Sequence, residues 1–351
     1  MTPLLTLFGC RSLETFDTPI EPDYAWERAE PDATWAARFE AAQAYHESQA
    51  GLGMLVIQGD TILFEQYANG HSASTPGPLW SGTKTFACAL AMEGVEQGLL
   101  SLDEPAGDTL SDFAEGEKAD ITLRMLLNFT SGLKKDRRSL SRDGFFAPED
   151  QRVEDKYQHA RDLPLTSEPG QVYEYGSQHL MVFGAVMKEK LGQDPLPWLT
   201  DEVLDPIGLR TSGWSHDPSG NSMWPYGAWT TVSEWARFGV LLRDDGLWQG
   251  ERVLPEGTLD ACRTGSEPNP AYGLGSWLNR EVPEDLDLSH IGHFEEEGPI
   301  LYADGSQDMI VAAGARGQRI YVLPDEDMVV VLQTDSPQFA DPVFLELLLS
   351  D

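Results

Sequence analysis

Apolar positions recur at two different periods along the chain, and the changes of period mark out its parts. Trp35, Phe39, Ala42 and Tyr45 fall at helical spacing within 33–48, which predicts an amphipathic helix. The runs GMLVIQG and TILFEQY follow, joined around Gly59-Asp60, and read as a β-hairpin. A loop rich in Gly, Pro and Ser (71–78) leads into a helical pattern from about Ser81 to Gly98. From 106 to 223 the pattern is mainly helix and loop. It holds a short helix in ITLRMLLNFTSGL, stopped by Gly132, and a longer one over 179–192 that closes on Gly192. Another helix is predicted over 233–245. The last third turns strand-like in AYGLGSWL, MIVAAGA, GQRIYVLP and MVVVLQT, before a terminal helix from Pro342.

Strand runs that stop for a long helical block and then resume as hairpins predict an α/β fold. The expected architecture is a three-layer sandwich, an antiparallel sheet flanked by helices, with an inserted, mainly helical lobe. The sandwich takes 33–105 and 224–351, and the lobe takes 106–223. Residues 1–32 carry Pro, Glu and Asp without a period and read as a leader or linker. No internal repeat is visible.

Composition adds two constraints. Apolar residues make up 41% of the chain, with 10 Trp and 14 Phe, enough for a sizeable core. Against 24 basic residues stand 58 acidic ones, a formal net charge of −34. That field repels phosphate backbones and argues against a nucleic-acid partner. The acidic residues are scattered, as on a solvated surface, with no acidic tail.

Cys10, Cys88 and Cys262 are too few and too scattered for a disulfide framework or a zinc site. Cys88, inside FACALAM, reads as a small buried hydrophobe. Cys10 follows Leu7-Phe8-Gly9, which resembles a bacterial lipobox, although only nine residues precede it and none is basic. Two readings stand. One is a truncated lipoprotein signal, with a membrane tether through Cys10 and a place in the cell envelope or outside it. The other is a chance match, which leaves a cytoplasmic location open. No stretch reaches the ~20 apolar residues needed to span a bilayer.

Ser81-Gly82-Thr83-Lys84 is an S-x-x-K tetrad. Residues three apart share a helix face, so the amine can reach the hydroxyl. At a helix start the dipole disfavours an ammonium and lowers its pKa, as a base requires. The same start aims backbone N–H groups at an oxyanion. A second tetrad, Ser131-Gly132-Leu133-Lys134, precedes a basic loop and reads as a helix terminus. Taken alone, Ser81 reads equally well as an N-cap serine beside an incidental lysine. His290 and His293 beside Glu295, Glu296 and Glu297 lack a zinc-ligand pattern, so no metal is expected. With no G-x-G-x-x-G and no P-loop, no nucleotide cofactor is implied.

Longer segments decide between the readings of Ser81. LWSGTKTFACALAMEGVEQGLLSLDEPAGDTL, ITLRMLLNFTSGL, PGQVYEYGS, LDPIGL, YGAWTTVSEWARFGVLLRDDGLWQGERVL and AGARGQRIYVLPDEDMVVV occur in this order. Together they resemble the β-lactamase-related serine hydrolases, the class C β-lactamase and penicillin-binding-protein type, over about residues 50 to 335. The resemblance implies three motifs. Ser81 and Lys84 match the nucleophile and its lysine. Tyr175-Gly176-Ser177 matches Tyr-x-Asn, with Ser177 where Asn is usual, and Tyr175 would shuttle a proton if cations lowered its pKa. The third motif, Lys-Thr-Gly or His-Thr-Gly, departs: the chain reads Ala313-Gly314-Ala315-Arg316-Gly317-Gln318. Backbone N–H groups near Ala315 would complete an oxyanion hole, with Arg316 supplying charge.

The implied activity is acyl transfer through Ser81 on a small ester or amide, with β-lactams and D-amino-acid peptides as further candidates. Esterase or amidase ranks above β-lactamase because Ser177 and Ala313 replace polar groups of a β-lactam site. The alternatives are a non-catalytic binding protein, or a cell-envelope lipoprotein, that keeps the fold.

Overall fold

The runs with the strongest strand pattern pair with one another. A computed structural model describes residues 15–136, 140, 153–283, 286 and 301–350. The chain opens with β1 (Glu27–Arg28), α1 (Ala33–Ser48), β2 (Gly51–Gln58), β3 (Thr61–Tyr67) and β4 (Gly77–Pro78). A 3₁₀ turn, Trp80–Thr85, then runs into α2 (Phe86–Glu96). The middle holds α3 (Leu123–Leu127), α4 (Lys156–Asp162), α5 (Gln178–Leu191) and α6 (Pro195–Leu199). Next come β5 (Gly213–Trp214), β6 (Ala228–Thr230), α7 (Val232–Arg243), β7 (Leu247–Trp248), β8 (Glu251–Arg252) and α8 (Thr258–Cys262). The chain closes with β9 (Trp277–Leu278), β10 (Ile310–Gly314), β11 (Gln318–Leu323), β12 (Met328–Thr334) and α9 (Asp341–Leu349).

Seven strands form one sheet in the order β1-β3-β2-β12-β11-β10-β9. Its pairings are antiparallel except at the edge, where β1 runs parallel to β3. β11 and β12 are buried at every position, which is why QRIYVL and MVVVLQT are apolar runs with little alternation. Neighbouring residues of a strand face opposite ways. A Cβ on Gly239 of α7 would touch Val329 and Ile320, whereas Tyr321 stacks on Phe344 of α9 at 5.6 Å. So α7 covers one face and α9 the other, with α1 beside α9 and its Tyr45 against Phe339, just before that helix. This is the expected α/β sandwich, with a mixed sheet. Among the described residues, 106–223 add no strand to it. β5, in that span, joins β4 and β6 in a small separate sheet.

Four local expectations differ from what is found. The segment read as a linker is packed onto the body from Phe16 onward. Trp26 is buried against Trp248, and Phe16 lies against Gly213 and Trp229. The helix in ITLRMLL ends at Leu127 rather than running to Gly132, because Phe129 and Gly132 adopt φ of 65° and 75°. AYGLGSWL yields strand only at its end, since Gly273 and Gly275 press against the carbonyls of Cys262 and Lys84. Finally, Cys88 does not act as a lone hydrophobe; it is disulfide-bonded to Cys262, 174 residues away. Two of three scattered cysteines meet because α2 and α8 pack together, a relation that spacing does not encode.

That crosslink closes a very long loop, whose chain-entropy benefit is about 5 kcal/mol in the ideal case and commonly about 2–4 kcal/mol. The Cys88→Ala, Cys262→Ala double variant is expected to unfold at markedly lower denaturant concentration than the oxidised protein. Equal midpoints would mean that the bond contributes nothing. Cys10 and the His290, His293, Glu295–297 cluster lie outside the described residues. Among those residues, no helix is long and apolar enough to cross a membrane.

Candidate active site

Ser81 sits on the 3₁₀ turn because Ser, Gly and Thr are poor α-helix formers, and Phe86 begins the regular helix. In a 3₁₀ turn residues i and i+3 eclipse one another, which brings Ser81 and Lys84 closer than the predicted α-helix would. Two contacts fix the turn, and its first residue is strained. Trp80, just before Ser81, holds a left-handed φ of 49°, a strain of about 1–3 kcal/mol that surrounding packing must sustain. Gly82 leaves room for Trp235 of α7, whose ring would lie 2.7 Å from an added Cβ. Thr83 Oγ1 accepts the Ala228 N–H from β6 at 3.2 Å.

Lys84 Nζ lies 2.8 Å from Ser81 Oγ and 2.7 Å from the Pro225 carbonyl. The amine is buried, and loss of hydration pulls its pKa down to about 7. A carbonyl only accepts, so Pro225 takes an N–H of the amine; above about pH 7, where the amine is neutral, its lone pair is left for the Ser81 proton. Beside Pro225, Tyr226 is held by Lys156 Nζ at 2.7 Å.

Tyr175 faces the pair. Its ring lies 5.0 Å from Lys84 Nζ, and the Ser81 side chain is close enough to lower the phenol's pKa. The ring stacks on Trp277 at 5.8 Å and meets Phe129 and Tyr272 edge-on. Burial in this aromatic cluster pushes the phenol up to about 12, despite opposing effects of Ser81 and Arg319. Burial therefore favours a neutral phenol over the lowered pKa raised as an option from the motif.

The third predicted stretch also arrives at the nucleophile. A Cβ on Gly314 would fall 2.1 Å from the Leu79 carbonyl and 3.1 Å from the Gly82 nitrogen. Only glycine permits that approach of β10 to the 3₁₀ turn. Ala313 precedes it on the strand and Ala315 opens the turn after it. Arg316 goes elsewhere: with φ of 63° it pairs with Asp335, outside this cluster. Ser177 precedes α5, and its hydroxyl makes no capping bond.

Ser131 of the second tetrad is buried, 2.8 Å from His179 Nδ1. His179 Nε2 lies 2.8 Å from the Glu174 carbonyl, which fixes the proton on Nε2 and makes Nδ1 the acceptor. Burial lowers that imidazole to about 3, and Lys134 points outward, exposed. This pair joins the loop before α4 to α5.

Sequence reading missed the Pro225 carbonyl, the Phe129, Tyr272 and Trp277 wall, and Arg319. A main-chain acceptor leaves no residue signal, and an aromatic residue lining a site carries the same signal as one in a core. Arg319 did leave one, a charge inside the apolar run QRIYVL.

Similarity extends along the chain. Penicillin-binding protein 4 of Amycolatopsis lactamdurans is 26% identical over 366 residues, covering 90% of this chain and 89% of that protein. The fold matches EstCE1, a hydrolase with promiscuous acyltransferase activity, with a TM-score of 0.63 at 16% identity, over 87% of this chain and 95% of that one. It also matches a D-stereospecific amidohydrolase from Streptomyces sp., with a TM-score of 0.59 at 18% identity, over 88% and 95%. With its serine, lysine and tyrosine in one cluster and the Beta-lactamase family model matching residues 36–347, the chain belongs to the beta-lactamase family of serine hydrolases.

Proposed function

We propose that the protein hydrolyses small carboxylic esters or amides through an acyl-enzyme on Ser81. The observation that carries this reading is the 2.8 Å contact between Ser81 Oγ and a buried Lys84 amine whose pKa lies near 7. Ser81 Oγ attacks the carbonyl carbon while its proton passes to Lys84 Nζ. The oxyanion is met by the N–H groups of Ser81 and Ala315. The first bond of the nucleophile turn runs from Gly82 N–H to Leu79 O, so the Ser81 N–H precedes the ladder. Collapse breaks the bond to the alcohol or amine, which leaves with the proton from Lys84, relayed by the Tyr175 hydroxyl. Water then attacks the acyl carbon, gives its proton to Lys84, and releases the acid as Ser81 Oγ is reprotonated.

Substrate preference follows from charge. Ala313 stands where relatives carry a cation on the motif strand, and Arg316 is engaged with Asp335. The wall beside Ser81 is aromatic. A neutral ester or amide with an apolar acyl group suits this setting better than a β-lactam carboxylate. Relatives described as a hydrolase with acyltransferase activity and as an amidohydrolase are consistent with it. The Cys88–Cys262 bond favours an oxidising, extracytoplasmic location.

Steady-state kinetics on short p-nitrophenyl esters, D-amino-acid anilides and a chromogenic cephalosporin test the preference. The expected kcat/KM for the ester or anilide exceeds that for the cephalosporin by at least about 100-fold, the scale of an unmet buried polar or charged contact. A faster cephalosporin reaction would reverse the ranking.

A further inference from the structure

The buried charge on β11 has no role in the acyl-transfer scheme above, yet its contacts end at the turn beside the nucleophile. Arg319 is fully buried and makes a bidentate pair with Asp341, Nε to Oδ1 at 2.6 Å and Nη2 to Oδ2 at 2.7 Å. Tyr321 donates its hydroxyl to the same carboxylate at 2.7 Å. The remaining guanidinium nitrogen, Nη1, donates to the carbonyls of Gly314 at 2.8 Å and Gln318 at 2.9 Å. These carbonyls bracket the turn that carries Ala315. Asp341 holds the guanidinium from α9, and the guanidinium holds the turn.

A trans peptide places C=O and N–H on opposite sides of one rigid plane. Fixing the Gly314 carbonyl on Arg319 therefore fixes the Ala315 N–H, which points away from the buried pair. We propose that Arg319 is a positioning residue for acyl transfer: by holding the Gly314 carbonyl it orients the Ala315 N–H as the second donor to the oxyanion. The inference rests on the serine-hydrolase reading of Ser81. Arg319 pairs in register opposite Ala313, so the guanidinium, its charge met by Asp341, stands on the neighbouring strand rather than at the motif position. Its field also opposes the upward push of burial on Tyr175.

A fluorophosphonate tests this without knowledge of the natural substrate. Ser81 Oγ would form a bond to phosphorus as fluoride leaves, with the phosphoryl oxygen in the oxyanion position. The rate constant for inactivation and the reversible affinity are measured for wild type, Arg319→Gln, Ala315→Pro and the double variant. Proline deletes the N–H itself, and Gly314, at φ −110° and ψ 155°, already has the backbone that precedes a proline. Each single change is expected to slow inactivation about 10²–10³-fold, the cost of losing one oxyanion donor, with affinity little changed. The double variant should be no slower than the worse single variant, because both changes remove the same donor.

Arg319→Gln reacting at the wild-type rate, or losses that multiply in the double variant, would overturn the proposal. Where Arg319→Gln does not fold, Arg319→Lys takes its place. One ammonium cannot hold both the carboxylate fork and the carbonyl, so a clear slowing is expected, and the wild-type rate would again refute the role. An unlabelled, folded wild type would instead overturn the reading of Ser81 and this inference with it.

Discussion

Ser81→Ala is expected to abolish covalent labelling by a fluorophosphonate and to lower turnover of any hydrolysed ester by about 10⁴–10⁶-fold, the scale seen when a serine hydrolase loses its nucleophile. Alanine removes the only atom that bonds to the substrate and leaves the Trp80–Thr85 turn otherwise intact, so the fold should be retained. Ser131→Ala is the matched control, because it alters the other S-x-x-K tetrad of the same chain. There the hydroxyl donates to His179 Nδ1 in the interior, and its loss strands a buried acceptor at a cost of about 1–3 kcal/mol. That variant should label at the wild-type rate and unfold earlier. Intact mass after labelling, with a denaturant midpoint for each variant, separates the two. Label that persists in Ser81→Ala, or disappears in Ser131→Ala while the protein is folded, would refute the assignment.

The two tetrads also mark how far the sequence could be read. The four letters are the same type in both, and what distinguishes them is the surroundings. One serine precedes a long helical pattern, and the other precedes a glycine with a positive φ. Helix α1, the β2–β3 hairpin and strands β10 to β12 were legible because burial dictates their apolar spacing or, on strands buried on both faces, their continuous apolar runs. Features that depend on two distant segments meeting were not. The Cys88–Cys262 bond, the close approach of Gly314 to Leu79, and the Pro225 carbonyl on Lys84 all belong to this class. Arg316 and Arg319 show the difference within one short stretch. Both are cations beside the third motif, and Arg316 is the nearer to it in sequence. Strand register and a left-handed φ send Arg316 to Asp335 and Arg319 into the interior. Charge near a motif is visible in a sequence, whereas its direction is decided by the backbone.

Direction and charge state together yield the sharpest expectation for the chemistry. A lysine base works only when neutral, and Lys84 is neutral above its lowered pKa of about 7. The kcat/KM of the free enzyme should therefore fall about tenfold per pH unit below 7 and level off above it. An unperturbed lysine would instead leave activity still climbing past pH 10. Lys84→Met should remove the base and at least about 10²–10⁴ of the rate. The same acid limb would arise if Tyr175 were an anionic base beside a cationic Lys84, since the two forms hold the same number of protons. Burial that pushes Tyr175 up to about 12 favours the neutral pair, and Tyr175→Phe decides between them. With Lys84 as base, phenylalanine keeps the limb near pH 7, costs only the relay, and removes no phenolate absorbance between pH 6 and 9. If Tyr175 were the base, the limb would vanish, the loss would match that of Lys84→Met, and the wild-type spectrum would show a phenolate that Tyr175→Phe lacks. The assignment of roles between Lys84 and Tyr175 thus turns on where one proton resides, and burial rather than motif membership determines it.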